Sequence, residues 1–291
     1  DLHSFPTRRS SDLVVGHGFG REGHTNGSGT ESGYSAGAYE YDGGKSEKSR
    51  SNLGRCAMTM RQTLDVSAYL VVGPENTLGR PVREIVAAAV RAGFTCVQIR
   101  SKEASAREMM VCVQDAAAVI ALAGKADQVA LLVDDRLDIV LAAHQQGVKV
   151  DGVHVGQSDI PPEICRRILG EGAVVGLSAR SHDLLRYVAN ADSTGIDYFG
   201  AGPLHETATK PDCGRNDEGK IITQSLAALR ELAKISPIPV VVGGGVKLAD
   251  IPALAATGVD GFFVVSAVAG AKVPGEAAAA LVHAWRQNSR A

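Results

Sequence analysis

Eight short apolar runs recur between residues 68 and 265, each followed by a segment with helical periodicity: AYLVV (68–72), FTCVQI (94–99), VALLV (129–133), GVHV (152–155), AVVGL (173–177), DYFGAG (197–202), PVVVG (239–243) and GFFVV (261–265). The runs are short and β-branched, as expected of parallel strands buried on both faces. The intervening segments predict helices over 81–92, with Pro81 in the first turn, then 105–122, 136–146, 162–169, 183–191, 222–234 and 248–256. After the last run come a short turn near Ala267 and a helix over 275–287. Strictly alternating strands and helices imply a parallel sheet. Eight units over about 220 residues approach the ~250 of a closed (β/α)8 barrel. An open doubly wound sheet would have fewer strands and a glycine-rich first turn. Here the first turn reads GPENTLG and glycines gather late in the barrel. The expected fold is α/β, a single (β/α)8 TIM barrel over residues 67–288, with order beginning near Ser67.

The chain ahead of the barrel reads differently. Residues 1–13 contain HSFPTRRSSDL, which resembles the conceptual translation of a sequencing adapter and is set aside as a probable artefact. Residues 14–60 are rich in Gly and Ser and lack apolar periodicity. Too little apolar surface is present to offset the entropy of ordering, so a disordered segment is expected. GHGFG within it has no preceding strand or following helix and is weak as a phosphate loop.

Composition narrows the function classes. A net charge of −2 over 291 residues gives no basic field to recruit nucleic acid or an anionic membrane. Five cysteines (Cys56, Cys96, Cys112, Cys165, Cys213) without CxxC spacing support neither a disulfide framework nor a zinc site. No apolar run approaches the ~20 residues of a membrane-spanning helix. With no signal peptide visible, a cytoplasmic protein is expected.

In such a barrel the chemistry lies at the carboxyl ends of the strands. The third run stops on Asp134 and Asp135, and the fourth ends in GQSD, with Gln157 and Asp159. Neighbouring strands lie ~5 Å apart, so Asp135 and Asp159 can face one cation. They equally suit a second role, capping the helices that follow. Spacing alone leaves both readings open. Run two ends VQIRSK, with Gln98 and Arg100 on one face and Lys102 just beyond; two cations there are costly to bury without an anionic partner. Run five ends in Ser178, with Arg180 behind it. The loop after run six, GPLHETATKPD, supplies Thr207, Thr209 and Lys210.

Run seven ends in Gly243-Gly244-Gly245, and Val265-Ser266 begins a short helical turn after run eight. Alone, GGG is more often a turn. Between strands seven and eight, backbone N–H groups of a Gly-rich loop and a helix start form the barrel phosphate site. The mixture of cations and acids makes sense if a divalent cation links carboxylates to substrate phosphates, as Mg²⁺ commonly does. The residues therefore predict a diphosphate-bearing substrate beside a monophosphate-bearing one. A Ser178/His182 hydrolytic dyad is disfavoured by the missing GxSxG elbow. His154, inside VHV, reads as a satisfied interior histidine rather than a ligand. No lysine sits on a strand interior for Schiff-base chemistry.

Taken together, VQIRSK, VDDRLDIVLAA, GVHVGQSD, GPLHETATKPD, VVGGGV and VVSAV, in this order from Ala68 to Trp285, resemble the thiamine-phosphate synthase family. The resemblance implies a barrel transferase that joins a hydroxymethylpyrimidine diphosphate to a thiazole phosphate, or its carboxylated form. The products are thiamine phosphate and diphosphate. It implies Mg²⁺ on Asp135 and Asp159, with Arg100, Lys102 and Lys210 on the diphosphate, assisted by Ser178. Arg100, Ser178 and Lys210 become the expected catalytic residues. Gln98 and Asp134 would contact the aminopyrimidine, and Thr207 and Thr209 would line a loop near both substrates. Backbone groups of Gly245, Val265 and Ser266 would hold the thiazole phosphate. The implied chemistry is dissociative: diphosphate departs, the electron-rich pyrimidine stabilises a carbocation, and the thiazole nitrogen captures it. The partners are thus two phosphorylated small molecules, and a homo-oligomer stays open.

Three departures stand out. Asp134 replaces a usual Asn, LHET replaces an aromatic-Pro-Thr loop, and Arg180 stands where many relatives have His. Two other readings fit the barrel. One is a thiazole tautomerase, which lacks the paired carboxylates and uses a His after strand five. The other is a non-catalytic phosphate-ligand barrel whose acids serve only as caps.

Overall fold

The computed structural model describes residues 58–206 and 221–289. Eight parallel strands close into a barrel in chain order: β1 (Ala68–Val72), β2 (Cys96–Ile99), β3 (Ala130–Asp134), β4 (Gly152–Val155), β5 (Val174–Ser178), β6 (Tyr198–Ala201), β7 (Val240–Val242) and β8 (Gly261–Val264), with β8 pairing back onto β1. Around it lie α1 (Val82–Ala92), α2 (Ala106–Leu122), α3 (Leu137–Gln145), α4 (Pro162–Leu169), α5 (Leu184–Asn190), α6 (Leu226–Ile235), α7 (Ile251–Ala255), the short α8 (Ser266–Ala269) and α9 (Pro274–Asn288). This is the (β/α)8 barrel that the hydrophobic pattern predicts. Among the described residues, no helix is long and apolar enough to cross a membrane.

Alternation along each strand produces two apolar layers. Outward residues such as Leu70, Val97, Leu131 and Val133 pack under the helices, while Tyr69, Cys96, Ala130, Leu132, Val174, Tyr198 and Val241 fill the barrel interior. A repeated device locks the amino-terminal rim. Thr95, Asp151, Asp197 and Asp260 each immediately precede an even-numbered strand. Their backbone N–H groups donate to Ala68, Leu131, Val175 and Val240 carbonyls at 2.9, 2.7, 2.8 and 2.9 Å. The side chains of these four residues accept the N–H of those same partners at 3.2, 2.8, 2.7 and 2.7 Å. Each odd strand is thereby tied twice, at its start, to the next strand, which fixes the register on which the opposite rim depends.

The described residues include a stretch ahead of Ser67. Residues 58–60, the end of the segment expected to be disordered, belong to the described structure, and Met60–Thr63 form a 3-10 turn. Met60 and Leu64 pack against the interior cluster, and Arg61 reaches Asp197 and Glu171 at 2.7 and 2.8 Å. The stretch is too short to show a period, so its contribution is tertiary. The remainder of the amino-terminal segment, residues 1–57, lies outside the described residues.

Candidate active site

A cavity of about 480 Å³ opens at the carboxyl ends of the strands, within the ~300–1,000 Å³ range of small-molecule sites. Gln98, Arg100, Lys102, Asp134, Asp135, Asp159, Ser178, Gly245, Val265 and Ser266 all line it. Thr207, Thr209 and Lys210 lie outside the described residues.

Neither Asp135 nor Asp159 caps the helix that follows it. The N-cap positions of α3 and α4 are Arg136 and Pro161, without a side-chain cap, and Asp159 instead accepts the Gly156 N–H at 2.8 Å, behind it in the chain. Asp135 has φ +58° and donates its N–H to the His154 carbonyl at 2.8 Å. Asp tolerates this left-handed conformation better than most residues. The two carboxyl groups are in hydrogen-bond contact across the β3–β4 rim. Burial and contact with Asp135 raise the Asp159 carboxyl above its ordinary range, against the Gly156 N–H. Burial also works to raise Asp135, but hydrogen bonds with Lys102 and Asp159 outweigh it and hold it low.

Each cation of the VQIRSK motif meets an acid. Lys102 pairs with Asp135, which keeps the ammonium protonated although burial opposes it. Arg100 Nε lies 3.0 Å from Asp134 Oδ2, with both side chains over nine-tenths buried. That Nε–H is out of hydrogen-bond alignment, so the contact is an ion pair by proximity. Asp134 thus faces the arginine expected on the diphosphate with the opposite charge. Gln98, 3% exposed, has an Nε2 without a hydrogen-bond partner among the described residues. An orphaned donor in a cavity wall is a place for a ligand acceptor.

Beneath the mouth runs a polar chain that sequence reading did not assemble. Tyr69 Oη lies 2.8 Å from Tyr198 Oη, Tyr198 Oη lies 2.9 Å from His154 Nδ1, and His154 Nε2 lies 2.9 Å from Ser178 Oγ. His154 stacks on the Tyr198 ring at 5.5 Å. Gly176 makes the room: a Cβ there would sit 2.3 Å from Tyr198 Oη and 2.5 Å from His154 Nδ1. Burial holds both phenols protonated well above their usual range.

On the opposite wall, Gly245 has φ +75°, and a Cβ there would come within 2.9 Å of His205 Cβ. The β7 loop is therefore packed closely on the loop after β6, and Gly243, Gly244 and Gly245 line the cavity together with Val265 and Ser266 at the start of α8. Arg180 also lines the cavity, where it lies 5.2 Å over the Tyr187 ring and 3.7 Å from Asp183. Gln157 donates to the Ser178 carbonyl at 2.6 Å, pinning the β4 loop to β5.

A closed parallel barrel whose polar residues converge in a cavity at the strand carboxyl ends has the anatomy of a barrel enzyme. Comparison with known proteins makes the assignment specific. The chain belongs to the thiamine monophosphate synthase family, whose model matches residues 68–268. It is 40% identical over 206 residues to a thiamine-phosphate synthase of Corynebacterium efficiens, covering 71% of this chain and 88% of that one. It is 36% identical over 210 residues to a thiamine-phosphate synthase of Vibrio parahaemolyticus, covering 72% and 93%. Among solved structures, the thiamine phosphate pyrophosphorylase of Pyrococcus furiosus superimposes with a TM-score of 0.63 at 29% identity, covering 78% of this chain and 98% of that one.

Proposed function

We propose that this enzyme couples a hydroxymethylpyrimidine diphosphate to a thiazole phosphate in a Mg²⁺-dependent reaction, releasing diphosphate and thiamine phosphate. The observation that carries the reading is the pair Asp135 and Asp159, held in contact at the rim and used as a cap by neither following helix. Two hard oxygen donors beside Lys102 fit a cation that takes one or two carboxylates and draws its other ligands from phosphate and water. Among the described residues, no group of three or more His, Cys, Asp or Glu could hold a metal by itself. That donor count suits a metal that arrives with the substrate.

Asp135 and Asp159 would hold Mg²⁺, which supplies charge neutralisation to the departing diphosphate. The protein's own part is positioning and electrostatics. Gln98 offers its unpartnered amide to the pyrimidine, and Asp134 supplies an acceptor for the 4-amino group. Arg100, Lys102 and Lys210 stabilise the leaving diphosphate as the methylene carbon–oxygen bond breaks and the oxygen keeps the electron pair. Ser178 donates its hydroxyl hydrogen to the same oxygens. The thiazole nitrogen, held by its phosphate at Gly245, Val265 and Ser266, then forms the new carbon–nitrogen bond with the methylene cation. No general base is required.

Two measurements bear on the separate halves of the site. In calorimetric titrations, Mg²⁺ and inorganic diphosphate should each raise the other's affinity; independent binding would contradict the carboxylate–metal–diphosphate arrangement. At the other half, Gly245→Ala forces a side chain into a left-handed position that costs ~1–2 kcal/mol. Steady-state kinetics should show KM for the thiazole phosphate raised about tenfold, with KM for the pyrimidine diphosphate within about twofold of wild type. Equal rises in both would remove the phosphate role from this loop.

A further inference from the structure

The chain of buried groups beneath the mouth points to a role beyond filling the barrel. We propose that Tyr69, Tyr198 and His154 set the direction of the Ser178 hydroxyl, so that its hydrogen is presented to an anionic oxygen in the cavity. Tyr69 and Tyr198 are 2% and 0% exposed, and His154 is 9% exposed. Each contact in the series is 2.8–2.9 Å. The groups come from four strands, β1, β6, β4 and β5, so the barrel register assembles them.

The order of donors follows from what Ser178 faces. A histidine whose Nδ1 accepts the Tyr198 hydrogen must carry its own hydrogen on Nε2. That hydrogen goes to Ser178 Oγ, and the serine hydrogen is left to point out of the chain, into the cavity. In the reverse order, Ser178 would donate to Nε2 and His154 to Tyr198. Tyr198 would then donate to Tyr69, and the serine hydrogen would be turned away from the cavity. An anionic oxygen beside Ser178 favours the first order, because every dipole of the chain then points its positive end at that oxygen. Gly176 supports a built device: it opens the space in which Tyr198 and His154 meet.

The three residues are positioning residues, acting on substrate through Ser178. The inference deepens the diphosphate reading of the site and rests on it, so its test uses readouts that survive a failure of that reading. In the intact protein, long-range ¹H–¹⁵N NMR should find His154 as the neutral Nε2–H tautomer. Tyr198→Phe removes one hydroxyl at constant ring shape. It should lower the affinity for inorganic diphosphate with Mg²⁺, and kcat/KM for coupling, by about five- to tenfold. In a Ser178→Ala background the same substitution should change either quantity by less than about twofold. If Tyr198→Phe proves unstable, His154→Gln, which retains a donor toward Ser178, should recover most of the loss produced by His154→Leu. An Nδ1–H tautomer overturns the proposal. So does an equal effect of Tyr198→Phe with and without the serine hydroxyl, or equal losses in the two His154 variants. Wild-type protein that binds diphosphate yet makes no thiamine phosphate would count against the coupling reaction alone, leaving the tautomer and the binding cycle to decide the proposal.

Discussion

Asp135→Asn is expected to lower kcat/KM by about 10²–10³-fold, the scale seen when one preorganised electrostatic contact to developing charge is removed. The substitution is chosen to isolate the charge. Asn is nearly isosteric with Asp and also tolerates the positive φ that position 135 requires. The N–H that reaches the His154 carbonyl is untouched. The pair with Lys102 is lost, but that lysine side chain is 53% exposed, so stability should fall by no more than about 1 kcal/mol. Steady-state kinetics over a range of Mg²⁺ concentrations should show the loss only partly recovered at high metal. A tautomerase or a passive phosphate-binding barrel would be indifferent to this change, and an unaltered kcat/KM would remove the metal role from the pair.

A second large effect belongs to the amino-terminal rim. Asp197 accepts the Val175 N–H at 2.7 Å, the Arg166 guanidinium at 2.6 Å and the Arg61 guanidinium at 2.7 Å. Arg166 is itself 7% exposed, so Asp197→Ala strands a buried cation and a strand-end N–H together. Breaking a buried pair from one side costs about 3–5 kcal/mol. For a domain of this size, Tm should fall by roughly 10 °C. Urea denaturation with an unchanged m-value would assign the effect to the native state. A change below about 1 kcal/mol would mean that the rim lock contributes little to the closed barrel.

The barrel was legible because its strands are buried on both faces. AYLVV and GVHV coincide with β1 and β4, and the other runs match within two residues at either end. Helix starts were harder. The helix expected from 222 begins at Leu226, where Ser225 caps it by accepting the Ala228 N–H at 3.1 Å. The helix expected over 248–256 divides into a 3-10 turn and α7, with Pro252 early in α7. At the site, polar or charged residues interrupting apolar strands marked Gln98, Arg100 and Asp134, because such groups are rarely buried without purpose. The phenols of Tyr69 and Tyr198 escaped notice for the opposite reason. In AYLVV and DYFGAG every residue suits a buried strand, and nothing local shows which side faces the barrel axis. Phasing β6 from Ser178 on its neighbour, through the register Ser178↔Gly200, would have turned Tyr198 inward. The ion pair of Arg100 with Asp134 and the stacking of Arg180 on Tyr187 depend on side-chain packing that linear spacing does not encode.

The most direct measurement of the central claim is turnover by the purified protein. It is supplied with the hydroxymethylpyrimidine diphosphate, the thiazole phosphate and Mg²⁺, and thiamine phosphate is quantified against a parallel sample containing a chelator. The site described here predicts thiamine phosphate and diphosphate in equal amounts, only when both substrates and the metal are present. Folded protein that yields no thiamine phosphate under these conditions, or yields as much with the metal removed, would contradict it.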